Sequence, residues 1–143
     1  MDEWQNRDMI TLYGIPNCDT VKKARAWLDS QGLAYTFHNF KRQGVPLDRI
    51  PVWSQALGWE RLINRQGMTW QKLTDKQKAD AGKLAGAMAL MQAESSVIKR
   101  PIVEWQDPIT TTITLGFDTQ TWSMQADELK DNERRASLAK AAG

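Results

Sequence analysis

Met9-Ile10-Thr11-Leu12-Tyr13-Gly14-Ile15-Pro16-Asn17-Cys18-Asp19-Thr20-Val21-Lys22-Lys23-Ala24 is the stretch on which the fold turns. Its opening run is apolar, partly β-branched and short, and Pro16-Asn17 closes it, which is the pattern of a buried strand. From Thr20 the period changes. Val21, Ala24 and Leu28 fall at i, i+3 and i+7 on one face, while Lys22, Arg25 and Asp29 lie on others, so a helix is expected over residues 20–31. Gly32 supplies a residue that can turn left-handed just past that helix. A second strand is expected over residues 33–40, with Tyr35, Phe37 and Asn39 on one face and Thr36, His38 and Phe40 on the other. Strand, helix and strand joined by short links form a βαβ unit, with parallel strands and a right-handed crossover.

Downstream, residues 43–96 lose strand character. Trp53, Leu57 and the run from Trp59 to Ile63 predict two short helices broken at Gly58, and Asn64-Arg65-Gln66-Gly67 predicts a turn. Thr74-Asp75-Lys76-Gln77 is a capping-box pattern, and the helix it opens is expected to run to Ala93 with Leu84, Met88 and Met91 inward. Gly82 and Gly86 each weaken such a helix by about 1 kcal/mol relative to alanine, so packing must hold it. Strands return at residues 101–105 and 109–117, where Ile109, Thr111, Ile113, Leu115 and Phe117 alternate with threonines and Gly116; Asp107-Pro108 predicts a hairpin between them. A mostly solvated helix is expected from Gln125 onward. The order βαβ, helical insertion, ββα predicts one α/β domain over residues 1–143, a mixed sheet with helices on both faces and the insertion at about 43–96.

Composition narrows the function classes. The 143 residues are 41% hydrophobic and 25% charged, as in ordinary globular chains. Lys and Arg number 19 against 17 Asp and Glu, a net charge of +2 that lacks the basic excess of a general nucleic-acid binder. No apolar run approaches the roughly 18 residues needed to span a bilayer, and the acidic, polar start is unlike a secretory signal peptide. One cysteine excludes an internal disulfide, and with one histidine it cannot build a structural zinc site, so no metal is expected. The expectation is a cytoplasmic monomer that binds neither nucleic acid directly nor membrane.

Cys18 is placed between a strand end and a helix start. Unpaired amides and the positive end of the helix dipole favour a thiolate there, and Lys22 and Lys23 add charge about one turn on. Residue type alone favours a small, inert, buried cysteine; placement is what argues for a nucleophile. A Cys-x-x-Cys pair is ruled out by Val21, and a Cys-x5-Arg phosphatase loop by Ala24, with Arg25 one place out of register. Taken locally, Arg65 is a solvated turn residue, Lys99-Arg100-Pro101 a strand start, His38 a surface or hydrogen-bonded histidine, and the seven tryptophans core and rim.

Three segments carry a resemblance: residues 14–24, then Leu62-Ile63-Asn64-Arg65-Gln66-Gly67, then Ile98-Lys99-Arg100-Pro101-Ile102, with a late Gly116-Phe117 pair. Over nearly the whole chain the sequence resembles the arsenate-reductase-like (ArsC/Spx) family, and within it the single-cysteine YffB-type members. The resemblance implies a thioredoxin-like fold with a helical insertion after the second strand. It implies a nucleophilic Cys18, with Asn17 and Thr20 beside it binding the substrate or glutathione, and oxyanion-holding arginines at Arg65 and Arg100. Lys22 stands for a basic residue on the same helix face, and Pro101 for a cis-proline whose neighbouring backbone pairs with a bound thiol peptide. The function implied is a glutathione-dependent thiol reductase that binds no cofactor. Glutathione is the co-substrate, the substrate is a thiol, disulfide or oxyanion, and glutaredoxin is a candidate partner. The alternatives are an Spx-like regulator that docks on RNA polymerase without catalysis, and arsenate reduction proper. Two departures bear on these. Gly116-Phe117-Asp118-Thr119-Gln120 lacks the further arginine that arsenate reductases of this type carry after the last strand, and Val21 replaces the second cysteine of Spx regulators.

Overall fold

The computed structural model describes residues 9–108 and 110–142; Ile109 and the polar start at residues 1–8 lie outside the described residues. Strand β1 (Ile10–Gly14) is followed by α1 (Asp19–Ser30) and β2 (Thr36–Asn39). The insertion contributes α2 (Phe40–Gln43), α3 (Ile50–Leu57), α4 (Trp59–Leu62), α5 (Met68–Gln71), α6 (Asp75–Asp80) and α7 (Leu84–Ala93), then a 3-10 turn at Ser95–Val97. Strands β3 (Ile102–Gln106) and β4 (Thr111–Leu115) and the long helix α8 (Thr119–Ala142) complete the chain. The sheet order is β2-β1-β3-β4. β1 runs parallel to β2, Leu12 opposite Phe37, and antiparallel to β3, Leu12 opposite Val103; β3 and β4 form the expected antiparallel pair.

Alternation along the strands sorts the core into two layers. Ile10, Leu12, Val103 and Trp105 face α1 and α8, meeting Val21, Ala24 and Leu28 from one helix and Trp122, Ala126 and Leu129 from the other. Trp122 anchors this layer, with Phe117, Trp105 and Trp27 set edge-on at 4.8, 5.2 and 5.8 Å between ring centroids. The opposite face carries Tyr13, Ile102, Ile113 and Leu115 and packs against the insertion through Phe40, Ile50, Trp53, Leu62 and Met91.

Three expectations are corrected. The second strand stops at Asn39 because the Asn39 side chain caps a short helix, accepting from the Lys41 and Arg42 amides at 2.9 and 3.4 Å, while the Gln43 side chain accepts from the Asn39 amide at 2.9 Å. The last helix begins at Thr119, not Gln125; Asp118 accepts from the Gln120 and Thr121 amides, and Trp122 buries the first turn. The Thr74–Gln77 capping box forms, but its helix ends at Asp80, and a second helix starts at Leu84. Ala87, Leu90 and Met91 are the buried positions there, while Leu84 is exposed.

The break explains Gly86. A Cβ at this position would overlap the backbone carbonyl of Asp80, so the start of α7 packs directly on the end of α6. Gly86→Ala is therefore expected to destabilise by about 1–3 kcal/mol through overpacking, against the roughly 1 kcal/mol that alanine gains in an open helix. A urea midpoint equal to or above that of the wild type would show that this contact yields freely.

Candidate functional site

Cys18 is the N-cap residue of α1, with extended backbone at φ −140° and ψ 123°. Gly14 lets that helix start close to the end of β1, since a Cβ there would lie 2.9 Å from Cγ2 of Val21. The Cys18 side chain makes no hydrogen bond that closes the cap, so its sulfur is left to the surroundings of the helix terminus. Burial pushes the thiol up, but the Val21 amide, the Arg100 guanidinium and the Thr20 amide outweigh it and hold Cys18 below the ordinary thiol value. Since the thiolate is the reactive form, alkylation of Cys18 by iodoacetamide is expected to rise with pH and level off below the free-thiol value of about 8.5. A rate that climbs only above that value would contradict a stabilised thiolate.

Arg100 is delivered by the segment before β3. The Lys99 amide donates to the Leu62 carbonyl at 2.8 Å, the Asn64 amide to the Val97 carbonyl at 2.7 Å, and Ile63 and Ile98 form an antiparallel bridge. This stitch lays the end of α4 beside the entry to β3. The Arg100–Pro101 bond is cis, Pro101 is buried, and its carbonyl accepts from the Gly116 amide at 2.8 Å. The Arg100 guanidinium is held by its own chain: Nη1 donates to the Ser96 and Ile98 carbonyls, both at 2.9 Å. Its Nε is buried without a partner among the described residues.

Cys18, Thr20 and Arg100 open onto one cleft of about 400 Å³, which Arg61, Asn64, Ile98, Lys99, Leu115 and Gly116 also line. Three cations and no carboxylate line it, an arrangement suited to an anionic ligand beside a thiolate. The other anticipated residues are placed differently. Asn17 and Lys22 are exposed and outside the lining, and Arg65 is exposed with its guanidinium 5.2 Å from the Trp70 ring centre. No periodicity or motif of their own marks Arg61, Asn64 and Lys99 as site residues. Asn64 and Lys99 lie within the Leu62–Gly67 and Ile98–Ile102 segments and Arg61 just before the first, but the backbone stitch joining those segments has no periodicity to read. His38 is hydrogen-bonded, with Nε2 2.8 Å from the Gly44 carbonyl oxygen. Among the described residues, no helix is long and apolar enough to cross a membrane.

The chain matches the ArsC family over residues 13–124. It is similar to an uncharacterised protein of Haemophilus influenzae, 36% identical over 66% of this chain and 82% of the other. It is 31% identical to the global transcriptional regulator Spx of Listeria innocua over 66% of this chain and 72% of that protein. Among solved structures, a YffB protein superimposes with a TM-score of 0.73 at 40% identity, over 81% of this chain and 97% of that one. An arsenate reductase (ArsC) related protein from Brucella melitensis gives 0.61 at 37% identity, over 80% and 92%. The strand order, the helical insertion and the placement of Cys18 thus occur in a chain that belongs to the ArsC family and has its thioredoxin-like fold.

Proposed function

We propose that this protein is a glutathione-dependent thiol reductase of the arsenate-reductase-like type, working in the cytoplasm as a monomer with no bound cofactor. One observation carries the reading: the Cys18 sulfur, favoured as thiolate, shares a carboxylate-free cleft with Arg100, Lys99 and Arg61. In the first step the thiolate attacks the glutathione sulfur of a glutathionylated substrate, and the substrate thiolate is the leaving group. A bond forms to Cys18, the old sulfur–sulfur bond breaks, and the departing thiolate takes the electron pair. The chain has one cysteine, so a second thiol must resolve the adduct. Glutathione thiolate attacks the Cys18-bound glutathione sulfur, glutathione disulfide leaves and the Cys18 thiolate returns. Arg100 stabilises the sulfur anion in both steps, and the backbone beside Pro101 aligns the thiol ligand as an added strand.

The test is turnover of a glutathionylated substrate by the purified chain with glutathione, followed by intact mass of the trapped protein. One glutathione on Cys18 together with turnover is the expected result; neither would defeat the reading. The same assay run with arsenate, glutathione and glutaredoxin covers the oxyanion alternative. A second reading rests on the 31% identity to Spx: a regulator that docks on RNA polymerase without chemistry. It requires binding in a pull-down that survives Cys18→Ser, with no turnover.

A further inference from the structure

We infer that Arg61 and Lys99 form a second anion subsite in the Cys18 cleft, one that selects thiol ligands carrying a carboxylate remote from the sulfur. The inference rests on the thiol-reductase reading above and names which thiols the site accepts. A cleft of about 400 Å³ has the size of a small-molecule site, far larger than one oxyanion beside Cys18 needs. Arg100 serves the sulfur, its Nη1 spent on the Ser96 and Ile98 carbonyls. Arg61 and Lys99 are different. Both are exposed, both line the cleft, and among the described residues neither makes a salt bridge or a side-chain hydrogen bond.

Their placement is built by the fold. The Lys99 amide is tied to the Leu62 carbonyl, the neighbour of Arg61, so two cations 38 positions apart in sequence line one cleft. No aspartate or glutamate lines the cleft to neutralise them. A ligand with its sulfur at Cys18 and a carboxylate at these two cations satisfies both ends, whereas a neutral thiol of the same reactivity satisfies one.

The test compares two disulfides that differ in charge. Cys18 thiolate attacks one sulfur of glutathione disulfide or of bis(2-hydroxyethyl) disulfide; a new disulfide to Cys18 forms and one reagent thiolate leaves, which intact mass follows with time. The wild type is expected to react faster with glutathione disulfide, relative to each reagent's rate with a free thiol. Arg61→Gln and Lys99→Gln are each expected to cut the glutathione disulfide rate by roughly three- to tenfold, as for loss of one charge-assisted contact at a partly open site, with the neutral reagent unchanged. High salt should erase the wild-type preference.

No preference in the wild type, a preference that both variants keep, or equal slowing with both reagents would each overturn the subsite. Failure of the reductase reading looks different: Cys18 would react with iodoacetamide and yet form no adduct with either disulfide, and the subsite would fall with it.

Discussion

Arg100→Gln is expected to lower glutathione-dependent turnover by about a hundredfold, the usual loss when one preorganised donor to a developing anion is removed. The midpoint of Cys18 alkylation should move upward in the same variant. The sulfur sits in a balance: burial raises it, and the Val21 amide, Arg100 and the Thr20 amide bring it down. Glutamine removes the only one of these lowering groups that carries a full charge and leaves the two amides. Arg100→Lys keeps a charge but loses the planar fork that Nη1 anchors on the Ser96 and Ile98 carbonyls, so it should fall between the two. Cys18→Ser sets the floor, with no turnover. The pH profile separates this role from a structural one, because merely loosening the Ser96–Ile98 turn would slow alkylation without moving its midpoint toward the free-thiol value. An unmoved midpoint in Arg100→Gln would assign the thiolate to the helix terminus alone.

How much of this was readable beforehand follows the range of the interactions. The β1–turn–α1 unit is written in local periodicity and in Pro16-Asn17, and it forms with Val21, Ala24 and Leu28 inward. The Thr74–Gln77 box and the β3–β4 hairpin are equally local, and both form. Where contacts between distant segments decide, reading by period fails. The split between Asp80 and Leu84 depends on α7 packing against the carbonyl of Asp80, and a glycine scored only for propensity hides that contact. Arg61 and Lys99 reach the site through the Leu62–Lys99 and Asn64–Val97 backbone bonds, which join residues more than thirty positions apart. Cys18, by contrast, stands at a helix start that the sequence marks, while Arg100 reads locally as a strand entry and its site role comes only from the family resemblance.

The sheet face opposite α1 holds the largest expected stability effect. Glu104 lies in β3 among apolar neighbours, 7% exposed; its Oε2 accepts from Arg49 Nε and Trp53 Nε1, each at 2.8 Å, and is ion-paired with Arg49 Nη2 at 2.8 Å. Arg49 and Trp53 belong to the insertion, so this carboxylate ties it to the sheet. Glu104→Ala is expected to destabilise by about 3–5 kcal/mol, because it strands the Trp53 indole N–H in a fully buried position and removes the partner of a half-buried guanidinium. Glu104→Gln keeps an acceptor for Trp53 and should lose less. Tyr13 gives an independent check. Burial first and the Glu104 carboxylate second push its phenol up to about 12, with Arg49 pulling the other way. A phenol raised above its ordinary value of about 10 contributes stability in full below that pH, and the contribution is lost as pH climbs through about 12. Urea midpoints should therefore fall between pH 10 and 12 in the wild type, fall less in Tyr13→Phe, and begin lower but decline less steeply in Glu104→Ala, where one of the causes is gone. A Glu104→Ala unfolding free energy within about 1 kcal/mol of the wild type at pH 7 would mean that apolar packing around Trp53 and Ile50 holds the insertion without the ion pair.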